Sequence, residues 1–151
     1  ASPRVASELG IDPGTTIQRA VRVRYLDEVP FSHSSSHLIE HVGRTFTKAK
    51  LASLPLIELL SMAGIRIGHV RQGITATLAD EILAKRLQVS VASPLLKVRR
   101  VFFDSNQRPV NYAEMLYCPD RFEYSMSLTL AARQQPARIA SQPGRARRNG
   151  G

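Results

Sequence analysis

Apolar positions along this chain recur in two rhythms, one helical and one of alternate residues, and together they predict an ordered series of elements. Leu51, Leu54, Leu56, Ile57, Leu59 and Leu60 follow the helical rhythm and predict a helix over Leu51–Met62, ending before Gly64. Pro55 falls in its first turn if Ser53 is the cap. Leu78, Ile82, Leu83 and Leu87 lie on one side of a second helix predicted over Thr77–Leu87. A short helix over Ser2–Leu9 is marked by its ends: Ser2 can cap it, Pro3 suits the first turn, and Gly10 stops it. After the turn Asp12-Pro13-Gly14, the β-branched run Thr15–Leu26 reads as a strand. It turns at Asp27-Glu28-Val29-Pro30 into a returning strand, Phe31–His37, of unusual polarity. Further strands are predicted over Ile65–Ile74, Pro94–Asp104 and Val110–Tyr117, the last two joined through Ser105-Asn106-Gln107-Arg108. After Asp120-Arg121, a last segment, Phe122–Leu130, alternates Phe122, Tyr124, Met126, Leu128 and Leu130. Most strands join by short turns. The expected fold is therefore α/β (α+β), a largely antiparallel sheet with helices on one side.

The pattern is stated nearly twice. Ala6, Leu9, Ile17 and Arg22 find counterparts in Ala84, Leu87, Leu95 and Arg100, all at one offset of 78 residues. Asp27 and Pro30 after the first strand correspond to Asp104 and Pro109 after the other, with the register broken only in the turns. Such an internal pseudo-duplication builds one sheet with a cleft between or beside the halves, and clefts are where small molecules bind.

Composition narrows the classes. A chain of 151 residues that is 43% hydrophobic and 22% charged fits one soluble domain with a real core, or a domain with a tail. Its single cysteine, Cys118, excludes an internal disulfide and suits a reducing compartment. No apolar run is long enough for a membrane helix, and no charged-then-apolar leader is present, so a cytoplasmic protein with no membrane partner is expected. The net charge of +9 suggests nucleic acid until it is located. Arg133, Arg138, Arg145, Arg147 and Arg148 fall in residues 131–151 with no acid, while residues 1–130 interleave 16 basic with 12 acidic side chains. Residues 131–151 hold almost no large apolar side chain and read as a disordered basic tail. It can touch phosphates non-specifically or be merely solvated. The globular part, residues 1–130, is not a convincing nucleic-acid binder. The first residue is Ala rather than Met, and a further N-terminal domain is expected.

Few residues carry candidate chemistry. Arg22 and Arg24, two apart in a strand, project from one face and can grip a phosphate or carboxylate through forked hydrogen bonds. The same spacing also fits a solvated face with cross-strand ion pairs. His33, His37 and His41 are four apart, a zinc-like spacing on a helix, but Ser34-Ser35-Ser36 makes a poor helix interior. Polar surface or cleft lining is the expected role, with no metal and no cofactor. Ser53 can cap a helix whose free amides suit an anion, and capping alone explains it equally. Cys118 has no evident His partner, no G-x-S-x-G is present, and the glycines form no phosphate loop, so no catalytic residue is assigned.

The pieces that remain are Ala6-x-x-Leu9-Gly10-Ile11-x-x-Gly14, Arg22-Val-Arg24 with Asp27-x-x-Pro30, and Ser53-Leu54 before Leu59-Leu60. Then come Ala84-x-x-Leu87-x-Val89 with Pro94-Leu95-Leu96, Arg100-x-x-x-Asp104, Pro109, and Tyr117-x-x-Asp120-Arg121-Phe122-x-Tyr124. In this order and spacing they resemble the UTRA domain, the effector-binding half of GntR-type transcription regulators of the HutC subfamily. The resemblance implies a chorismate-lyase-like fold, a homodimer, and DNA binding through an N-terminal winged helix-turn-helix domain absent from this chain. It also implies an effector site at Arg22, Arg24, Ser53 and Tyr117. Ser34 stands where members that bind phosphorylated sugars carry a glutamate, and Glu28 interrupts the usual Asp-Gly-x-Pro turn. A sugar effector is therefore less expected than another small anionic metabolite, imidazole-containing or amino-acid-like effectors included. The expected function is a ligand-sensing domain of a bacterial repressor. Two alternatives stay open: a lyase-like enzyme acting on a small carboxylate, and a dimerisation module without a ligand.

Overall fold

The structure, a computed structural model, describes residues 1–47, 49–50 and 54–127. Five strands form one antiparallel sheet in the order β1-β2-β5-β4-β3: β1 Ile17–Leu26, β2 Val29–Ile39, β3 Ile67–Leu78, β4 Pro94–Asp104 and β5 Pro109–Tyr117. Among the described residues, four short helices cover it: α1 Pro3–Leu9, α2 Glu40–Gly43, α3 Leu56–Met62 and α4 Glu81–Leu87.

The duplication seen in the sequence is a structural one. Helix α1 leads into the β1–β2 hairpin, α4 leads into the β4–β5 hairpin, and the returning strands β2 and β5 pair at the centre. The offset of 78 extends into the caps. Ser2 accepts a hydrogen bond from the Val5 amide, and Asp80 accepts one from the Leu83 amide. Each satisfies an amide that a helix start leaves free. Both helices end on a left-handed residue, Gly10 at φ 63° and Gln88 at φ 52°. The next amides, of Ile11 and Val89, close back onto the carbonyls of Ala6 and Ala84. Leu9 and Leu87 are both buried beneath these caps. The turns differ, as the broken register predicts. Asp27 and Glu28 form a tight two-residue connection with positive φ at both, the conformation that matches strand twist. Asp104 instead folds a longer turn, its Oδ1 accepting from the amides of Asn106 and Arg108.

Helices lie on both faces rather than on one. Val5 and Leu9 of α1 meet Val101 and Tyr112, and Ala84 and Leu87 of α4 meet Leu95 and Leu116. Leu59 and Leu60 of α3, with Val42 of α2, meet Leu38, Phe102 and Ala113. Neighbours in a strand point to opposite faces, so Val101 and Phe102, or Tyr112 and Ala113, divide the two layers.

Several expected elements change their bounds. The helix expected over Thr77–Leu87 begins only at Glu81, because Asp80 supplies the cap and the β-branched Thr75 and Thr77 remain in β3, opposite Lys97 and Leu95. The helix expected over Leu51–Met62 has its described turn from Leu56, with Pro55 as the cap of α3. Ser53 and the tail, residues 131–151, lie outside the described residues. The alternation from Phe122 onward builds no strand over residues 122–127; its rings stack instead, Phe122 lying 4.4 Å from Tyr117 and 5.6 Å from Phe31.

Candidate functional site

On the α3 face, the sheet carries a cleft of about 210 Å³. That is room for roughly seven waters at ~30 Å³ each, or for one small metabolite. Strand alternation selects its lining. Ala20, Arg22 and Arg24 come from β1, Ser32, Ser34 and Ser36 from β2, Ala113, Met115 and Tyr117 from β5, and Arg100 and Phe102 from β4. Pro55, Leu56 and Ile57, at the start of α3, form the opposing wall. The unusual polarity of β2 thus has a place: a row of hydroxyls along the floor of the cleft, on one of the sheet's inner strands.

Arg22 faces Ser34 across the β1–β2 ladder, and Arg24 faces Ser32. Beyond that pair the register slips, leaving Phe31 unpaired as a bulge beside Arg24. The Arg22 Nη1 donates to the Leu54 carbonyl at 3.0 Å, which ties β1 to the segment entering α3. Burial first, and then the charge of Arg24, lower the Arg22 pKa below its ordinary value. A guanidinium held in that condition gains from an anion placed beside it. Tyr117 is 8% exposed, and the Phe122 ring stacked on it fixes its position in the wall.

The structure therefore brings Arg22, Arg24, Ser34 and Tyr117 to one cleft. It also adds Arg100, which the search for site residues passed over. The signal was present, since Arg100 is the counterpart of Arg22 in the duplication. Its Nε donates to Gln72 Oε1 at 2.6 Å and its Nη2 to the Tyr124 hydroxyl at 3.0 Å. Among the described residues, no carboxylate lines the cleft.

The histidines do not line it. Their alternation sends His33 and His37 to the opposite face, where His33 is buried with its Nε2 2.9 Å from Arg86 Nη1. His37 lies beside Arg19 and Glu114 in a second cavity, under α1. Among the described residues, no three His, Cys, Asp or Glu side chains converge as metal ligands. Cys118 is buried, and burial raises its thiol pKa, against the small opposing pull of Arg121. That is the reverse of what a nucleophile needs. Among the described residues, no helix is long and apolar enough to cross a membrane.

Known proteins agree with this architecture. The UTRA domain family model matches residues 1–123. The HTH-type transcriptional regulator GgaR of Escherichia coli K12 is 26% identical over 113 residues, covering 72% of this chain and 43% of GgaR. The chain thus spans under half the length of the curated relative it matches. A GntR-family transcriptional regulator from Enterococcus faecalis V583 superposes with a TM-score of 0.78 at 26% identity, over 85% of this chain and 92% of that one. The ligand-binding domain of a GntR-family regulator from Bordetella bronchiseptica gives 0.77 at 26% identity, over 85% and 82%. These relatives are transcriptional regulators, not enzymes.

Proposed function

The chain belongs to the UTRA domain family, and from that premise we propose that it is the effector-sensing half of a HutC-type transcription repressor. One observation carries the reading. Three arginines and a row of serine hydroxyls share a metabolite-sized cleft with no carboxylate among its described lining residues. Uncompensated cations in a half-enclosed space favour an anionic guest. In this reading Arg22 and Arg24 hold the anionic group, Ser34 and Ser53 add hydroxyls, and Tyr117 closes the cleft. Residues 1–130 are the sensor and residues 131–151 a basic tail.

The protein acts in the cytoplasm as a homodimer, with DNA contacted by an attached N-terminal winged helix-turn-helix domain. An exposed apolar row on edge strand β3, Val70, Ile74 and Leu78, favours association with a second surface. The effector binds one arrangement of the dimer more tightly and so shifts the population of DNA-binding geometries.

Thermal unfolding against phosphosugars, small carboxylates and imidazole acids tests the reading, with Arg24→Ala alongside. A ligand at about 100 times its dissociation constant adds ~2.7 kcal/mol of stability. A midpoint shift in the wild type that is lost in Arg24→Ala supports the reading. A shift that survives the substitution removes Arg24 from the site.

A further inference from the structure

Arg100 reaches the cleft from the far side of the sheet's pseudo-symmetric centre. Arg22 stands on β1 and Arg100 on β4, with β2 and β5 between them. Three strand spacings separate their backbones, roughly 14 Å at ~4.8 Å each. One compact anion bound by the Arg22–Arg24 pair leaves Arg100 without a counter-charge.

The contacts Arg100 makes position it without neutralising it. Gln72 Oε1 accepts from Arg100 Nε and from the Tyr124 hydroxyl, and that hydroxyl accepts from Arg100 Nη2, so three groups close a ring. Both partners of the guanidinium are neutral. Among the described residues no carboxylate lies within 4 Å of Arg22, Arg24 or Arg100. A half-buried, preorganised cation with neutral partners only is arranged to meet a charge that arrives from outside. Between the two cationic ends the floor is neutral: Ser34 and Ser36 offer hydroxyls, Ala113 and Met115 apolar contact.

We infer that the effector is a bis-anion, with one anionic group held by Arg22 and Arg24, a second held by Arg100, and a short neutral body between. This rests on the effector-site reading above and adds to it the charge pattern of the ligand.

Titration calorimetry on the full chain, with phosphonates as a chemical ruler, tests it. Propylphosphonate offers one charged end, and α,ω-alkanediphosphonates of increasing length offer two. The wild type is expected to bind one diphosphonate length about tenfold tighter than propylphosphonate. In Arg100→Gln that preference falls to about twofold or less because the diphosphonate loses more affinity than propylphosphonate, while Arg100→Lys keeps part of the preference. Ligand-free melting of both variants establishes that they fold. Arg24→Ala weakens both ligand types.

If propylphosphonate binds through Arg24 but no diphosphonate length is preferred, the effector-site reading stands and the bis-anion falls. The bis-anion also falls if Arg100→Gln weakens both ligand types equally, because a single anion then bridges all three arginines. If neither ligand type binds, or binding ignores Arg24, the site reading fails and takes this inference with it.

Discussion

On the face covered by α1 and α4, Glu114 takes Lys97 at 3.1 Å and Arg4 at 3.4 Å, and Glu8 takes Arg71 at 2.8 Å. On the face covered by α3, Arg22, Arg24 and Arg100 share a cleft with no carboxylate among its described lining residues. Cavity size does not separate the two. The space under α1, lined by Arg4, Arg19, His37 and Glu114, is the larger, about 470 Å³ against about 210 Å³. What differs is the lining: the space under α1 contains a carboxylate, Glu114, and the cleft under α3 contains none among the described residues. Partly exposed ion pairs stabilise a fold by only about 0–1 kcal/mol, so Glu8 and Glu114 act on the first face mainly by offsetting nearby cations. The cleft on the second face holds its cations without such a carboxylate in its described lining, and the proposed anion site rests on that difference.

The largest expected effect of breaking this division is structural. Leu87 is fully buried where α4 meets the sheet, and Leu87→Ala should cost about 2–5 kcal/mol in denaturant unfolding. Anion affinity of the remaining folded protein should not change. A loss of affinity at full folding would mean that the faces are not independent.

Next is Arg121. Its guanidinium donates to the carbonyls of Pro30, Leu87 and Gln88, joining the β1–β2 hairpin to the end of α4. Cations favour a helix end, where carbonyls lack partners. Arg121→Ala should cost about 2–3 kcal/mol. A cost near zero in the same unfolding measurement would show that water replaces the three bonds.

A smaller effect comes from carrying one face's chemistry to the other. Ser34→Glu sets a carboxylate directly across the ladder from Arg22. It should lower anion affinity about tenfold, roughly 1.4 kcal/mol, without lowering stability, as calorimetry and melting together would report. Unchanged affinity would place the anion away from Arg22.

Much of this was legible in the sequence, unevenly. The repeat at 78 residues gave the two hairpins and their helices, because each copy carries its own start, its own buried leucine and its own stop. It held even for the caps, Ser2 and Asp80. Where the reading slipped, local pattern met a tertiary decision. Thr77 and Leu78 fit a helix by spacing but extend β3 because β4 offers a full ladder of partners. His33 and His37 fit a cleft by composition, but strand parity places them on the side opposite Ser34 and Ser36. Arg22 and Arg24 were recognisable by spacing alone. Arg100 was not, because only the folded sheet brings β4 beside β1's cleft, although its pairing with Arg22 in the repeat was a usable hint. Arg121 read as part of a motif, and only the structure shows that its role is a carbonyl clamp.

The smallest expected effect separates the faces by pH. His33 Nε2 sits 2.9 Å from Arg86, which can only donate, so the ring must be neutral with its proton on Nδ1. Burial first, and then the charges of Arg86 and Arg19, lower the His33 pKa below its ordinary 6.5, with Asp80 and Glu114 opposing more weakly. In the unfolded chain the imidazole takes up its proton as pH falls through about 6.5, while the folded ring resists. The stability that His33 contributes is therefore complete above that value and lost as pH falls toward the folded pKa. His37, also lowered mainly by burial, acts in the same direction, so His33→Gln should remove only part of the slope. Denaturant unfolding between about pH 7.5 and 5.5 would measure it. Among the described residues, the cleft is lined by neither a histidine nor a carboxylate. A permanently charged probe such as an alkylsulfonate should bind with constant affinity across that pH window. Constant stability with pH-dependent sulfonate binding would reverse the assignment of the two faces.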